Sequence, residues 1–343
     1  MRIFLTGGAG FIGSNFVRWA LSNEAVSSKI EKLVVYDSLT YAGNLENLDG
    51  LEKNPKFLFV KGDIRDAKLC ADLFQEHKID AVIHFAAESH VDRSILDPLS
   101  FVKTNVEGTQ VILNEARNNN VGKFLHVSTD EVYGSLGPEG FFVESTPLDP
   151  SSPYSASKAS SDLLVLAAYK TYGYHVNVTR CTNNYGPYQF PEKLIPFFVT
   201  NALNDLPLPL YGDGRNIRSW LHVDDHSDAL WKVLNSGRAG EVYNIGGSTE
   251  SEKDNSEVTH AILNILKKPE TLIKYVEDRK GHDRRYAVDY SKIKGELNWE
   301  PKKDFETGLK ETIRWYQDNE KWWQRVKSGE YQRFYDEYYS KRI

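Results

Sequence analysis

Short apolar runs alternate with amphipathic stretches through the first 180 residues, and this alternation restricts the possible architectures severely. Arg2–Thr6, Leu33–Tyr36, Phe57–Val60, Ala81–Ala86, Phe124–Ser128 and Val176–Arg180 are four to six residues long and rich in β-branched and aromatic types, which predicts buried strands. Between them, Gly13–Leu21, Asp66–His77, Val102–Asn118 and Tyr154–Tyr172 carry helical spacing. Alternating strand and helix implies a parallel sheet covered on both faces. Right-handed crossovers then bring every strand's carboxyl end to one edge, where ligands bind. After Arg180 the pattern breaks. Asn183–Pro191 reads as loop, Lys193–Leu203 and Val223–Leu234 as helix, Val242–Ile245 as strand, and the chain from Phe305 onward as charged, aromatic helix. At 343 residues, two units are expected. One comprises residues 1–182 plus about 222–248; the other, smaller, α/β and discontinuous, comprises about 183–221 plus 249–343.

The first strand runs directly into Gly7-Gly8-Ala9-Gly10-Phe11-Ile12-Gly13. The spacings Gly8-x-Gly10-x-x-Gly13 and Gly7-x-x-Gly10-x-x-Gly13 both fit a dinucleotide fingerprint. A side chain there would block the tight turn, the approach of a pyrophosphate, or the packing of helix on strand. The helix N-terminus then offers free N–H groups and its positive dipole end. Together with the alternation, this predicts a Rossmann-type, doubly wound domain. Asp37 ends the second strand, where a carboxylate accepts ribose hydroxyls and repels a 2′-phosphate, favouring NAD over NADP. Asp63 is placed to meet the adenine.

Ser152-Pro153-Tyr154-Ser155-Ala156-Ser157-Lys158 opens a helix and puts Tyr154 and Lys158 on one face. Lowering a phenol by about three pKa units takes roughly 4 kcal/mol. One ammonium ~5 Å away supplies approximately 3 kcal/mol at an effective dielectric of ~20, and an oxidised nicotinamide could supply the rest. The pair is therefore expected to remove a proton from an alcohol while hydride passes to NAD. One strand earlier, Ser128-Thr129-Asp130-Glu131 closes the fifth run. Thr129 can hydrogen-bond a substrate hydroxyl. Adjacent carboxyl groups push one pKa upward, so one can serve as acid and the other as base.

Ser128–Gly134, Tyr154–Lys158, Asn183–Pro196, Asp37–Asn44, Ala86–Ser94 and Asp278–Tyr286 together resemble the dTDP-glucose 4,6-dehydratase family of the extended short-chain dehydrogenase/reductase superfamily, from Met1 to about Trp315. The resemblance implies oxidation at carbon 4 of the sugar with Tyr154 as base. Proton removal from carbon 5 by Glu131 follows, then loss of the 6-hydroxyl protonated by Asp130, and hydride return to carbon 6. NAD would be regenerated each turnover and remain tightly bound. Catalytic residues would be Thr129, Asp130, Glu131, Tyr154 and Lys158. The cofactor would meet Gly7, Gly10, Phe11, Ile12, Gly13, Asp37, Ser38, Leu39, Thr40, Asp63, Ile64, Phe85, Ala86, Ala87, Ser89, Thr104, Tyr154, Lys158 and Asn183. The nucleotide-diphosphate sugar would meet Ser89, Thr129, Asn183, Glu192, Lys193, Leu194, Pro209, Leu210, Tyr211, Arg218, Asn255, Asp278, Arg279 and His282. Lys193, Arg218 and Arg279 are the cations its diphosphate needs. A homodimer through the helices around Val102–Asn118 and Tyr154–Tyr172 is also implied. A related UDP-glucose 4,6-dehydratase, a 4-epimerase and a non-catalytic NAD-binding regulator stay open as alternatives. An epimerase would need no acid and base for elimination, and a regulator would be expected to lack Tyr154, Lys158 or the carboxyl pair.

Composition excludes other classes. Forty-eight acids against forty-two Lys and Arg, a net charge of −6, argue against a general nucleic-acid binder. Two cysteines, Cys70 and Cys181, point to a reducing, cytoplasmic setting and not to a disulfide scaffold. Met1–Leu5 is too short for a signal peptide's apolar core, and no stretch approaches a membrane span. His222-x-x-x-His226 lacks a third metal ligand, so no metal is expected, and Asp224 and Asp225 are taken as a helix cap. Trp315, Trp322 and Trp323 are expected to pack the terminal helices.

Overall fold

The computed structural model describes residues 1–278 and 283–329. Six strands fall where the apolar runs lie: β1 (Arg2–Thr6), β2 (Lys32–Asp37), β3 (Phe57–Lys61), β4 (Ala81–His84), β5 (Lys123–Thr129) and β6 (Val176–Cys181). They join Val242–Ile245 in one seven-stranded sheet ordered β3-β2-β1-β4-β5-β6-(Val242–Ile245). Every pairing in it is parallel. The strand order reverses between β1 and β4, which opens a crevice at their carboxyl ends.

Side chains on successive residues point to opposite faces, so each strand feeds two cores. Ile3 and Leu5 pack with Phe16, Val17 and Leu230 on one face. Phe4 packs with Phe74, Ile112 and Val165 on the other. The helix Val223–Ser236 belongs to the first core, through Leu230, Trp231 and Leu234. Thus a segment that follows the break in the pattern returns to the large sheet.

A third core, built on Tyr185, Phe197, Trp220, Val258, Phe305 and Trp322, lies under a smaller lobe. Its framework is a four-stranded sheet around Ile217–His222 and a two-stranded sheet of Leu208–Tyr211 with Ile273–Val276. Asn183–Tyr185, expected as loop, is a strand paired in parallel with Ile217–His222. Alternation failed there because all three side chains are polar or aromatic and the strand is only three residues long. The stretch Val102–Asn118, expected as one helix, is π-helical over Val102–Gly108 and α-helical over Thr109–Asn118. Within the widened turn, the Asn105 amide accepts from the Glu88 N–H (2.8 Å) and donates to the Glu88 carbonyl (3.0 Å) and to Ser157 Oγ (2.8 Å). Such bulges gather at functional sites.

The expected cap of the helix Val223–Ser236 needs correction. His222 is the N-cap, its Nδ1 accepting from the Asp224 N–H at 3.2 Å. Asp225 instead accepts from the N–H groups of Lys302 and Lys303 at 3.1 and 2.9 Å, tying a later segment down. His226 Nδ1 lies 2.9 Å from Asn184 Oδ1. Among the described residues no helix is long and apolar enough to cross a membrane.

Candidate active site

Gly7 has φ +70°, and a Cβ on it would lie 2.6 Å from the Ala86 nitrogen. A Cβ on Gly13 would lie 2.3 Å from the Gly7 carbonyl oxygen. Only glycine fits either place, so the turn can bring its backbone against a ligand. The helix Phe11–Ser22 has no side-chain cap at Gly10, which leaves its first N–H groups for an anion. Asp37, 7% exposed, accepts from the Ala9 N–H (2.9 Å) and the Leu39 N–H (2.7 Å). Burial raises its pKa and those two bonds oppose the rise. A glycine cradle, an uncapped helix start and a buried carboxylate at the end of β2 together fit NAD.

The turn forms one wall of a cavity of about 510 Å³. Of the residues expected at the cofactor, all but Leu39 line it: Gly7, Gly10, Phe11, Ile12, Gly13, Asp37, Ser38, Thr40, Asp63, Ile64, Phe85, Ala86, Ala87, Ser89, Thr104, Tyr154, Lys158 and Asn183. Leu39 has φ +56° and offers its N–H to Asp37 while its side chain packs on the core. The Asp63 carboxylate is already engaged by Arg65, with Nε to Oδ1 at 3.0 Å, and that bond lowers its pKa.

All five expected catalytic residues line the same cavity. The end of β5 turns through Asp130–Tyr133, and the Thr129 hydroxyl accepts from the Glu131 N–H at 3.2 Å. Asp130 is buried, its Oδ2 has no hydrogen-bond partner, and its pKa is pushed up to about 8. Burial is the main cause, the Glu131 charge adds to it, and Arg218 opposes it. At neutral pH Asp130 is thus mostly protonated, which suits it to give up a proton.

The helix Pro153–Tyr172 starts in a reciprocal Ser152/Ser155 capping box with Pro153 in the first turn. That fixes where Tyr154 and Lys158 point. Lys158 Nζ donates to the Val127 carbonyl at 2.9 Å and lies 3.4 Å from His126 Nε2. Burial lowers the Lys158 ammonium to about 8, with the Asp162 carboxylate opposing. The Tyr154 phenol stands one helical turn before Lys158. Burial, then the Glu131 charge, hold that phenol well above its ordinary value; a hydrogen bond from Thr129 pulls it back.

Of the residues expected at the substrate, Ser89, Thr129, Asn183, Glu192 and Lys193 line the cavity. Lys193 Nζ donates to the Ser89 carbonyl at 3.0 Å. Burial pushes Glu192 up to about 7, against the opposing charge of Lys193. Leu194, Pro209, Leu210, Tyr211, Arg218, Asn255 and Asp278 lie outside this wall. Leu210 is in the small lobe's core. Arg218 sits over the Tyr286 ring at 4.4 Å and donates to the Asp283 carbonyl at 3.0 Å; its charge still reaches Asp130. Arg279 and His282 lie outside the described residues. The cavity wall also includes Glu88, Ser100, Lys103, Asn184 and Gln189, which sequence reasoning did not assign. Glu88, Asn184 and Gln189 stood within quoted motifs; Lys103 depends on the π-helical turn, which spacing did not reveal.

The chain matches the family described as GDP-mannose 4,6 dehydratase over residues 4–312. It is 54% identical to the dTDP-glucose 4,6-dehydratase of Actinoplanes sp., covering 94% of this chain and 100% of the relative. It is 48% identical to dTDP-glucose 4,6-dehydratase 1 of Escherichia coli (strain K12), covering 100% of both. Its structure superposes with a TM-score of 0.92 on the dTDP-glucose 4,6-dehydratase of Streptomyces venezuelae solved with NAD bound, at 52% identity, covering 95% of this chain and 100% of that one. The UDP-glucose 4-epimerase of Thermotoga maritima is more distant, at 30% identity and a TM-score of 0.84 over 93% of this chain and 99% of that one. With its glycine cradle, its Tyr–Lys helix and its carboxyl pair on one cavity, the chain belongs to the dTDP-glucose 4,6-dehydratase family.

Proposed function

We propose that this chain converts dTDP-glucose to dTDP-4-keto-6-deoxyglucose and water. The observation that carries this reading is the adjacent pair Asp130 and Glu131 on the cavity that also holds Tyr154 and Lys158. Tightly held NAD supplies, when bound, the acceptor for hydride from carbon 4 and its donor to carbon 6; Gly7, Gly10, Gly13, Asp37 and Lys158 would hold it. Tyr154 takes the proton of the 4-hydroxyl, which Thr129 orients. The ketone acidifies carbon 5, and Glu131 removes that proton. Electrons of the C5–H bond form the C5–C6 double bond as the C6–O bond breaks, and Asp130 protonates the departing hydroxyl to water; as hydride returns to carbon 6, Glu131 gives the proton back to carbon 5. Lys193 and Arg218 serve the diphosphate. Mass analysis after mixing the protein with dTDP-glucose, and in parallel with UDP-glucose, is the direct test. Water loss from the dTDP sugar alone supports the reading; loss from the UDP sugar alone moves it to the uridine substrate, and no loss from either refutes it.

The carboxyl pair also sets a pH dependence. Asp130 must keep its proton and Lys158 its charge, and both titrate near about 8. Turnover is therefore expected to fall above that pH, more steeply than tenfold per unit because two protons are lost. A pH–rate profile that stays level to pH ~10 would remove Asp130 from the role of acid.

The large lobe is read as residues 1–182 with about 222–248, and the small lobe as about 183–221 with 249–343, except that Ile293 and Trp299 pack in the core of the large lobe. A homodimer is proposed, supported by the apolar side chains of Leu96 (61% exposed), Leu99, Leu163 and Tyr172 on neighbouring helices. Sedimentation equilibrium at the monomer mass would contradict it. The buried, unbridged Cys70 and Cys181 support a cytoplasmic setting.

A further inference from the structure

The helix Glu320–Lys327 lies more than 270 residues from the glycine turn in sequence, yet it is joined to it by a short chain of hydrogen bonds. The Trp322 indole N–H donates to Asn47 Oδ1 at 3.0 Å. The Asn47 amide in turn donates from Nδ2 to the Ala9 carbonyl at 2.9 Å. Ala9 sits between Gly8 and Gly10, and its own N–H is the one held by Asp37. Both backbone groups of Ala9 are thus held, the N–H by the Asp37 carboxylate and the carbonyl jointly by the Asn44 N–H at 3.0 Å and by the Asn47 side chain that the distant helix orients.

The connection is buried along its length. Trp322 is 6% exposed and Asn47 2%. A buried amide oxygen that loses its donor is left unsatisfied, so the indole N–H is not replaceable by solvent without cost. Two further contacts hold the helix in place. Arg325 Nε donates to Glu46 Oε1 at 2.8 Å, next to Asn47. The Tyr188 ring packs edge-on against Trp322, with centroids 5.7 Å apart, and carries the Arg18 guanidinium over it at 4.7 Å. Arg18, on the helix that begins at the turn, donates from Nε to the Asn47 carbonyl at 2.7 Å.

We propose that the helix Glu320–Lys327 is a latch on the cofactor turn: Trp322, acting through Asn47, helps hold the Ala9 carbonyl and sets how long the dinucleotide stays bound. Trp322 and Asn47 are positioning residues; neither lines the cavity. An enzyme that regenerates its cofactor on every turnover gains from slow release, and a rigid turn needs no reordering to hold its ligand. The proposal rests on the reading of the turn as an NAD site.

The test is the rate of NAD loss. Parent and Trp322→Phe proteins, saturated with NAD, are transferred to cofactor-free buffer and the dinucleotide retained is quantified over time. Phenylalanine keeps one aromatic ring in the core and removes the N–H together with the rest of the bicycle, so the Asn47 variant, which cuts the same bond and leaves the indole intact, separates the lost bond from the lost packing. Release is expected to be about fivefold faster, the ratio that one net hydrogen bond typically supplies, while turnover at saturating NAD stays at the parent value. Asn47→Leu should speed release as well, and adding Trp322→Phe to it should have no further effect, because both cut the same connection. If Asn47→Leu does not fold, Arg325→Met, which frees the same helix, takes its place as the second variant that must speed release. Release from Trp322→Phe at the parent rate overturns the proposal, as does strict additivity of the two changes. So does a fall in turnover at saturating NAD without faster release, which would make Trp322 a packing residue alone. A parent protein that takes up no NAD would instead refute the cofactor reading.

Discussion

Tyr154→Phe is expected to lower turnover by roughly 10²–10⁴-fold, the range for loss of a general base. The ring is buried and packs edge-on toward Phe101, with centroids 6.3 Å apart, and phenylalanine preserves that contact. What disappears is the oxygen proposed to accept the proton of the 4-hydroxyl, so the first oxidation should stop and reduced cofactor should not accumulate in a single turnover. Glu131→Gln should behave differently. Its oxidation step survives and only the loss of water fails, because the amide cannot take the proton from carbon 5. Rapid-mixing absorbance of reduced cofactor separates the two. Tyr154→Phe protein that reduces its cofactor at the parent rate would exclude Tyr154 as the base.

Asp162→Ala is expected to cost about 3–5 kcal/mol of stability, because it strands a buried charge. Asp162 is fully buried one helical turn beyond Lys158, and its Oδ2 accepts from Arg180 Nε at 2.9 Å. Arg180 also donates to the Tyr133 hydroxyl at 2.9 Å, and His126 Nε2 lies 3.4 Å from Asp162 Oδ1. Without the carboxylate the guanidinium stays buried without a counter-charge. Although burial alone would raise the Asp162 pKa, its partners win and hold it below the ordinary value. The sign of the pH dependence follows. A folded-state pKa below the unfolded one gives stability that is complete above the unfolded value of ~3.9 and is lost as pH falls through the folded value. Denaturant titrations of the parent should therefore weaken in acid through this group, and those of Asp162→Ala should lack that component. A variant as stable as the parent at pH 7 would refute the account.

The large sheet was legible because its strands are buried on both faces and therefore read as continuous apolar runs, Leu33–Tyr36 being one. Its site was legible for a different reason. A glycine that tolerates no Cβ and a Tyr–Lys pair one helical turn apart are local constraints written within a few residues. The small lobe was harder. Asn183–Tyr185 and Glu252–Asp254 are three-residue strands whose partner lies elsewhere in the chain, so no period can form. The hydrogen bonding around Lys158 was out of reach for a related reason. Spacing places Lys158 on the correct face but cannot say that its ammonium is held by the Val127 carbonyl. The π-helical turn at Val102–Gly108 depends on Asn105 reaching Glu88 and Ser157, contacts that arise only after folding.

The placement of Val242–Ile245 at the rim of the large sheet has a consequence for synthesis. A ribosome delivers Cys181 about 60 residues before Val242, an interval of roughly 3–12 s at ~5–20 residues per second. The six earlier strands can assemble from the centre outward during that time, since none of them needs the seventh. Throughout it, Val176–Cys181 presents an uncovered row of N–H and C=O groups from a strand made of Val, Asn, Val, Thr, Arg and Cys. The nascent chain is thus most exposed to edge-to-edge pairing with its neighbours just when its nucleotide-binding crevice is nearly complete. Codons that slow translation between the two strands would lengthen that exposure and lower the yield of native protein, while leaving the finished molecule unchanged.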